Sequence, residues 1–414
     1  MNQSRIIWLV TVCLLLAAGL FLLQCSDDSD DDDDTTPDNG DEQPPTDQTM
    51  VGWAFGDSIY RYSDGYWREQ PDEAVTGKLI AAAFINRDFG YAISEYNVYR
   101  YNEGVWSRIT PPDYPLSAAM FDIAIADGGV VWFAARDPDG EGYLIKHLPT
   151  GENAVFKLNP TISTIPVLLK AILAVPGDPY LHMVAEVEGY FQHWAWNEQD
   201  KVTDIIIAND PENPTVEIND LAIAPDGALW AAGWDLADEL QTGVFWRRGA
   251  EAWDRRPAMA STDCRTTSVR KVMFTDDGIG YALADCIWSQ IYRSTDASNW
   301  TEMSLPGDKG EEFVINDISL ISDTKGWAVG YTSVLDEPLL LLRNESGWNQ
   351  SRSLDTDTGH ELNAVAIFDY PLPGGVDDDT LDDDTADDDT GDDDTGDDDT
   401  GDDDSVDDDT TLSN

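Results

Sequence analysis

Five arginines, Arg61, Arg100, Arg247, Arg293 and Arg343, stand at equivalent places in short runs of aromatic or apolar residues that lead into a turn. Gathered over one axis, three such guanidiniums would clamp a substrate carboxylate, and an acid and a nucleophile beside them would complete a glycan-cleaving centre. Their equivalence points to a plainer role, in which each lies along an aromatic ring or pairs with a carboxylate. The four histidines, His147, His182, His193 and His360, include no His-Glu-x-x-His zinc arrangement, although His182 and His193 fall where neighbouring strands could bring them together. Asp137-Pro138-Asp139-Gly140 has the composition of a calcium loop and reads first as a turn. Trp194, Trp196, Trp234 and Trp288 are candidates for an exposed sugar- or peptide-binding surface, since aromatic anchors dominate recognition; most of the 15 Trp are expected in packing instead. No cofactor or metal site is expected among these residues.

Four cysteines are present: Cys13, Cys25, Cys264 and Cys286. Cys13 lies inside an apolar run, Ile6 to Leu23, that follows a single positive charge at Arg5 and reads as an export signal. In an oxidising compartment the remaining pair, Cys264 and Cys286, is expected to form a disulfide. The formal net charge of -57 excludes nucleic acid as a partner, because binding to phosphates depends on Lys and Arg displacing counterions.

What must position these residues is a repeat. Gly326-Trp327-Ala328-Val329-Gly330 recurs about every 40 to 50 residues, a spacing that marks a repeat architecture. Good copies are Gly52-Trp53-Ala54-Phe55-Gly56, Gly90-Tyr91-Ala92-Ile93-Ser94, Leu229-Trp230-Ala231-Ala232-Gly233 and Gly280-Tyr281-Ala282-Leu283-Ala284. Val131-Trp132-Phe133-Ala134 is a further copy and Leu181-His182-Met183-Val184-Ala185 a poorer one. Small residues alternate with bulky ones, so a strand of period two has one flat and one filled face, and sheets of this kind stack. Each copy follows an apolar run with a turn (Leu79 to Asn86 is the first) and precedes a hairpin such as Val98-Tyr99-Arg100-Tyr101-Asn102-Glu103-Gly104-Val105-Trp106. The third and fourth units depart most: around Tyr143 to Phe156 and Tyr190 to Val202 the closing Trp is absent.

The first unit lacks its leading apolar run, and a run at Leu362 to Phe368 has no successor. In a ring that last strand would complete the first unit, whereas a linear stack would expose an unfinished apolar sheet at each end. The expected fold is therefore all-β: a seven-bladed β-propeller over residues 50–371, closed by pairing of its last strand with its first blade.

These units resemble Asp-box, or bacterial-neuraminidase-type, repeats and propellers similar to the photosystem II stability and assembly factor. Ser294-Thr295-Asp296-Ala297-Ser298-Asn299-Trp300 carries the likeness to an Asp box, with Ser63-Asp64-Gly65-Tyr66-Trp67 a shortened form. The resemblance implies a turn-fixing role for these residues and no catalytic one. Gly56-Asp57-Ser58-Ile59 and Asp357-Thr358-Gly359-His360 look like the nucleophile and Asp-x-x-His blocks of Gly-Asp-Ser hydrolases. That family needs alternating strands and helices and further Gly and Asn blocks that this sequence lacks.

Residues 1–25 resemble a bacterial lipoprotein signal, with Leu22-Leu23-Gln24-Cys25 as the lipobox and Cys25 as the lipidated residue; Gln24 stands where the family has a small residue. The rival reading is an uncleaved membrane helix. Residues 26–49 form an acidic tether, and residues 372–414 an Asp-Asp-Asp-Thr repeat in which no core is possible, so both are expected to be disordered. Clustered carboxylates suit hard cations, so weak calcium binding by that tail is an added expectation. The whole reads as a monomeric, non-enzymatic cell-envelope lipoprotein, at the outer membrane or cell surface, whose propeller binds a protein or glycan. A secreted sialidase-like glycan-processing enzyme and a calcium-responsive surface spacer are the alternatives.

Overall fold

The computed structural model describes residues 50–369 except 71, 110–117, 159–166, 188, 199–200, 207–215, 236–241, 250–251, 257–267, 287, 307–312, 334–336 and 352–360. Cys13, Cys25, Cys264, Asp357, His360, the tether and the acidic tail therefore lie outside the described residues. Among those described, no helix is long and apolar enough to cross a membrane.

Seven four-stranded antiparallel sheets make up the domain, one per repeat. Blade 1 is built from β1 (Met50–Gly56), β2 (Ile59–Ser63), β3 (Tyr66–Glu69) and β28 (Leu362–Asp369) in the order β28-β1-β2-β3, so the last strand lies beside the first. Their register runs from Met50 opposite Asp369 to Ala54 opposite Val365, so the two ends of the domain are zipped together as the unpaired strands in the sequence require. The other six blades each use four consecutive strands, and the first strands of neighbouring blades pack on one another around a central axis. The expected seven-bladed, end-closed ring is what the chain forms.

The Gly-Trp-Ala strand is the second of each blade, and its composition follows from what it touches. In β25 (Lys325–Thr332), Trp327 is 2% exposed while Ala328 and Val329 are wholly buried. A Cβ on Gly330 would fall 1.8 Å from the carbonyl oxygen of Val314 on the first strand, and the same 1.8 Å approach recurs at Gly56 and Gly233. The cause is a bulge: every first strand slips its register there, between Ile315 and Asp317 in blade 7 for example, which pushes a carbonyl towards its neighbour.

Between blades the core is aromatic. Trp53 of blade 1 is met by Tyr101 at 4.6 Å, Trp106 at 5.8 Å and Phe84 at 6.4 Å, all from blade 2. Trp327 of blade 7 is met by Tyr62 at 5.2 Å and Trp67 at 5.3 Å from blade 1. Such edge, tilted and offset-stacked contacts suit the ring quadrupoles and bury large apolar area.

Candidate functional site

The five arginines lie on the third strands and not on the axis, each across from the second-strand residue at the Trp or Gly position of its blade. Their partners are those that ring symmetry suggests. The Arg61 guanidinium sits 5.5 Å from the centre of the Trp53 ring, and Arg247 pairs with Asp226 at 2.6 Å. Arg293 grips Asp323 through both oxygens at 2.5 and 2.7 Å, and Asp323 also accepts the Tyr281 hydroxyl at 2.5 Å. Donation from Arg293 holds the Asp323 carboxyl below its usual range.

His182 and His193 meet: Nδ1 of the first is 2.9 Å from Nε2 of the second, and Nε2 of His182 is 3.0 Å from an Asp178 oxygen. His193 Nε2–H donating to His182 Nδ1, and His182 Nε2–H donating to Asp178, satisfies both contacts. Both are buried between blades 4 and 5, with the His193 ring edge-on to Trp253 at 5.2 Å. Asp137 closes a turn, accepting from the backbone of Asp139 and Glu141 and from the Tyr143 hydroxyl. No cluster of metal-ligating side chains occurs among the described residues. Asp296 likewise gathers the backbone N–H groups of Ser298 and Asn299 and the Ser294 hydroxyl, donors that depress its carboxyl. Cys286 is disulfide-bonded and directly follows the second strand of blade 6. Of the aromatic residues expected on the surface, Trp288 is exposed and Trp234 half-buried, but Trp194 and Trp196 are 7% and 4% exposed. Those two are core, because in blade 4 they take the positions that Tyr99 and Tyr101 fill in blade 2.

One group of charged residues escapes a reading based on apolar runs. At the residue after each bulge the first strands carry Ala81, Asp122, Ala171, Asp220, Lys271, Asp317 and Ala364, all lining the axis. Asp122, Asp220 and Asp317 each accept, at 2.8 Å, a backbone N–H from the next blade: Ile172, Val272 and Val365. Lys271 pairs with Asp317. One residue earlier, the amides of Asn219, Asn316 and Asn363 donate to carbonyls of the following blade, and Arg270 does the same to Ile315. The axis is thus a double ring of stitches. Burial pushes the Asp122 carboxyl up to about 6 and that of Asp220 up to about 7, against the pull of Lys271 and of the donated N–H groups. Burial opposes the Lys271 ammonium, yet Asp317, Asp220 and Asp122 together outweigh it and raise its pKa. The sequence does contain a signal for this ring, an Asp directly before Ile or Leu in three first strands, at Asp122, Asp220 and Asp317.

Two clefts open on the face formed by the turns after the first strands. One, of about 640 Å³, lies between blades 3 and 4 over Trp132 and Trp196; the other, of about 530 Å³, lies between blades 5 and 6 over Trp230 and Phe274. The opposite face carries a hollow of about 500 Å³ bordered by Glu217, Trp234, Arg270 and Cys286.

No family model and no curated protein sequence matches the chain. Among solved structures, the periplasmic gluconolactonase PpgL of Pseudomonas aeruginosa is similar over 78% of this chain and all of its own, at 12% identity and TM-score 0.55. A putative 6-phosphogluconolactonase from Bacteroides uniformis gives 11% identity, the same coverages and TM-score 0.51. YCF48 bound to D1 peptide is similar over 71% of this chain and 93% of its own, at 13% identity and TM-score 0.48. At these identities the likeness is one of fold.

Proposed function

We propose that this chain is a non-enzymatic binding propeller, held at the cell envelope, that presents one face of its ring to a protein or glycan partner. The observation that supports it best is how the charged residues on the axis and third strands are used. The axial carboxylates accept N–H groups of neighbouring blades, Lys271 pairs with Asp317, and Arg247 and Arg293 are tied to turn carboxylates. A nucleophile or general acid has to be turned towards a substrate, and these groups are turned towards the scaffold and hold neighbouring blades together. Export is supported by the apolar leader with Cys25 at its end and by the disulfide at Cys286. A Cys264 partner for that bond belongs to the same proposal.

Capture from envelope extracts by the intact protein should enrich a specific partner over a variant with its surface scrambled, and equal recovery from both would dismiss the reading. Mass spectrometry of the mature N-terminus should find a diacylated Cys25, and an unprocessed leader would replace the lipid anchor with a helix. Turnover of a sialoside or polysaccharide panel by the wild type would favour the enzymatic alternative.

A further inference from the structure

The cleft between blades 3 and 4 exists because two positions that are aromatic elsewhere are not aromatic there. Blade 2 covers Trp53 with Phe84 from its first strand and Trp106 from its last. In blade 4 the equivalent of Phe84 is Ala174, and the residue opposite Trp196, where blade 2 sets Trp106 opposite Tyr101, is Lys201. Among the described residues, the blade 4 ring that meets Trp132 is Trp196, at 5.2 Å, and Ala174 lines open space of about 640 Å³. An unfilled joint in an aromatic core costs stability, roughly 24 cal/mol per Å³ of cavity where the site cannot collapse.

Among the described residues, three carboxylates rim that space, Asp127, Asp178 and Glu198, against one ammonium, Lys146. Lys146 shows what the place accommodates: its Nζ lies 5.5 Å from the Trp132 ring centre and pairs with Glu198. On the other wall, among the described residues, Asp127 is exposed and accepts the Gly177 N–H at 2.7 Å, while Asp178 accepts the Tyr180 N–H at 2.9 Å on one oxygen and His182 on the other. Each carboxylate oxygen has two lone pairs, so both retain acceptor capacity facing the cleft.

We infer that this cleft is a receptor for a basic side chain, an arginine or lysine, carried by a segment of a partner protein. The alkyl stem lies over Ala174 and Leu181, and the cationic head meets Asp127 and Asp178 across from the protein's own Lys146. Charge complementarity selects this occupant: the rim carries two more negative than positive groups, within a chain of 81 acidic and 24 basic residues that steers cations inward. A glycan would need an open ring face to stack on, and Trp132 and Trp196 are 7% and 4% exposed. The inference rests on the binding reading above and narrows it to one partner chemistry and one place.

The test uses the full chain and two pentapeptides, Ala-Arg-Ala-Lys-Ala and its Gln-for-Arg, Gln-for-Lys counterpart, with maltoheptaose as a glycan probe. Calorimetry is run in salt that shortens the Debye length below about 8 Å, which suppresses diffuse attraction to the acidic flanks. Wild type should bind the basic peptide about tenfold more tightly than the Gln peptide, and Ala174→Phe, which refills the joint as in blade 2, should remove that preference without lowering the Tm. Asp127→Asn, on an exposed turn, should weaken basic-peptide binding about threefold to tenfold and decides the matter if Ala174→Phe does not fold. Equal binding of the two peptides, binding that survives in Asp127→Asn and Ala174→Phe, or binding of maltoheptaose instead would overturn the inference. An envelope partner still captured by Ala174→Phe would leave the general binding reading standing while this site fails.

Discussion

Single residues decide how the ring responds to protons. Asp122 and Asp220 are held up, so folding favours their neutral forms relative to the unfolded chain. Stability from this source is complete below the ordinary aspartate pKa of about 4 and is lost as pH rises through about 6 and 7. Asp323 runs the other way, adding stability above its unfolded pKa that disappears on acidification through its depressed one. Between pH 5 and 8 only the axial pair titrates of these three, so Asp220→Asn should gain in Tm relative to wild type across that interval. A parallel pair of Tm curves would show that Asp220 does not titrate there. Lys271→Met should cost less than the roughly 3–5 kcal/mol of a fully buried pair, since its stem is partly exposed, a loss readable in urea melts.

Strands carry the next level of explanation, and here the limits of reading the sequence are specific. The second strands were legible because Trp53, Trp230 and Trp327 alternate with small residues at a regular spacing. First strands were legible to different extents: Leu79 to Asn86 and Leu362 to Phe368 match their strands almost end to end, whereas the strands that start at Phe313 and Val216 show an apolar run only from Ile318 and Leu221, past their bulges. An extra residue at the bulge breaks the period of two, so Asp317 and Asp220 look like loop residues before a strand when they are in fact its axial face. The clefts were illegible for a different reason, since a missing aromatic is visible in sequence but what fills or fails to fill its place is not. Close approach makes the fifth position of the second strand testable: Gly330→Ala should cost at the upper end of the roughly 1–3 kcal/mol of overpacking, because the clash is with a backbone oxygen. Trp53→Ala should cost about 3–5 kcal/mol and release Arg61, both readable by urea denaturation.

For the molecule as a whole, closure sets the cooperativity. Blades that contact only their neighbours behave as a linear array unless the ends are joined, and here they are joined by the pairing of β28 with β1 and by Trp327 packing on Tyr62 and Trp67. Removing residues 362–369 should leave β1 as an apolar edge and convert a single sharp melting transition into a broad one with aggregation. Calorimetry of that truncation, showing one unchanged transition, would mean that blade stacking suffices without the join.

The pairing of Met50 with Asp369 also fixes a timetable. The segment that seals the circle is the final portion of the domain to be synthesised and, in an exported chain, the final portion to cross the membrane. Until then strand β1 has no neighbour on its axial side, and a contact spanning more than three hundred residues must form by slow loop closure. Such a chain needs an escort during transit, and its susceptibility to envelope chaperones and proteases should peak just before that late strand docks.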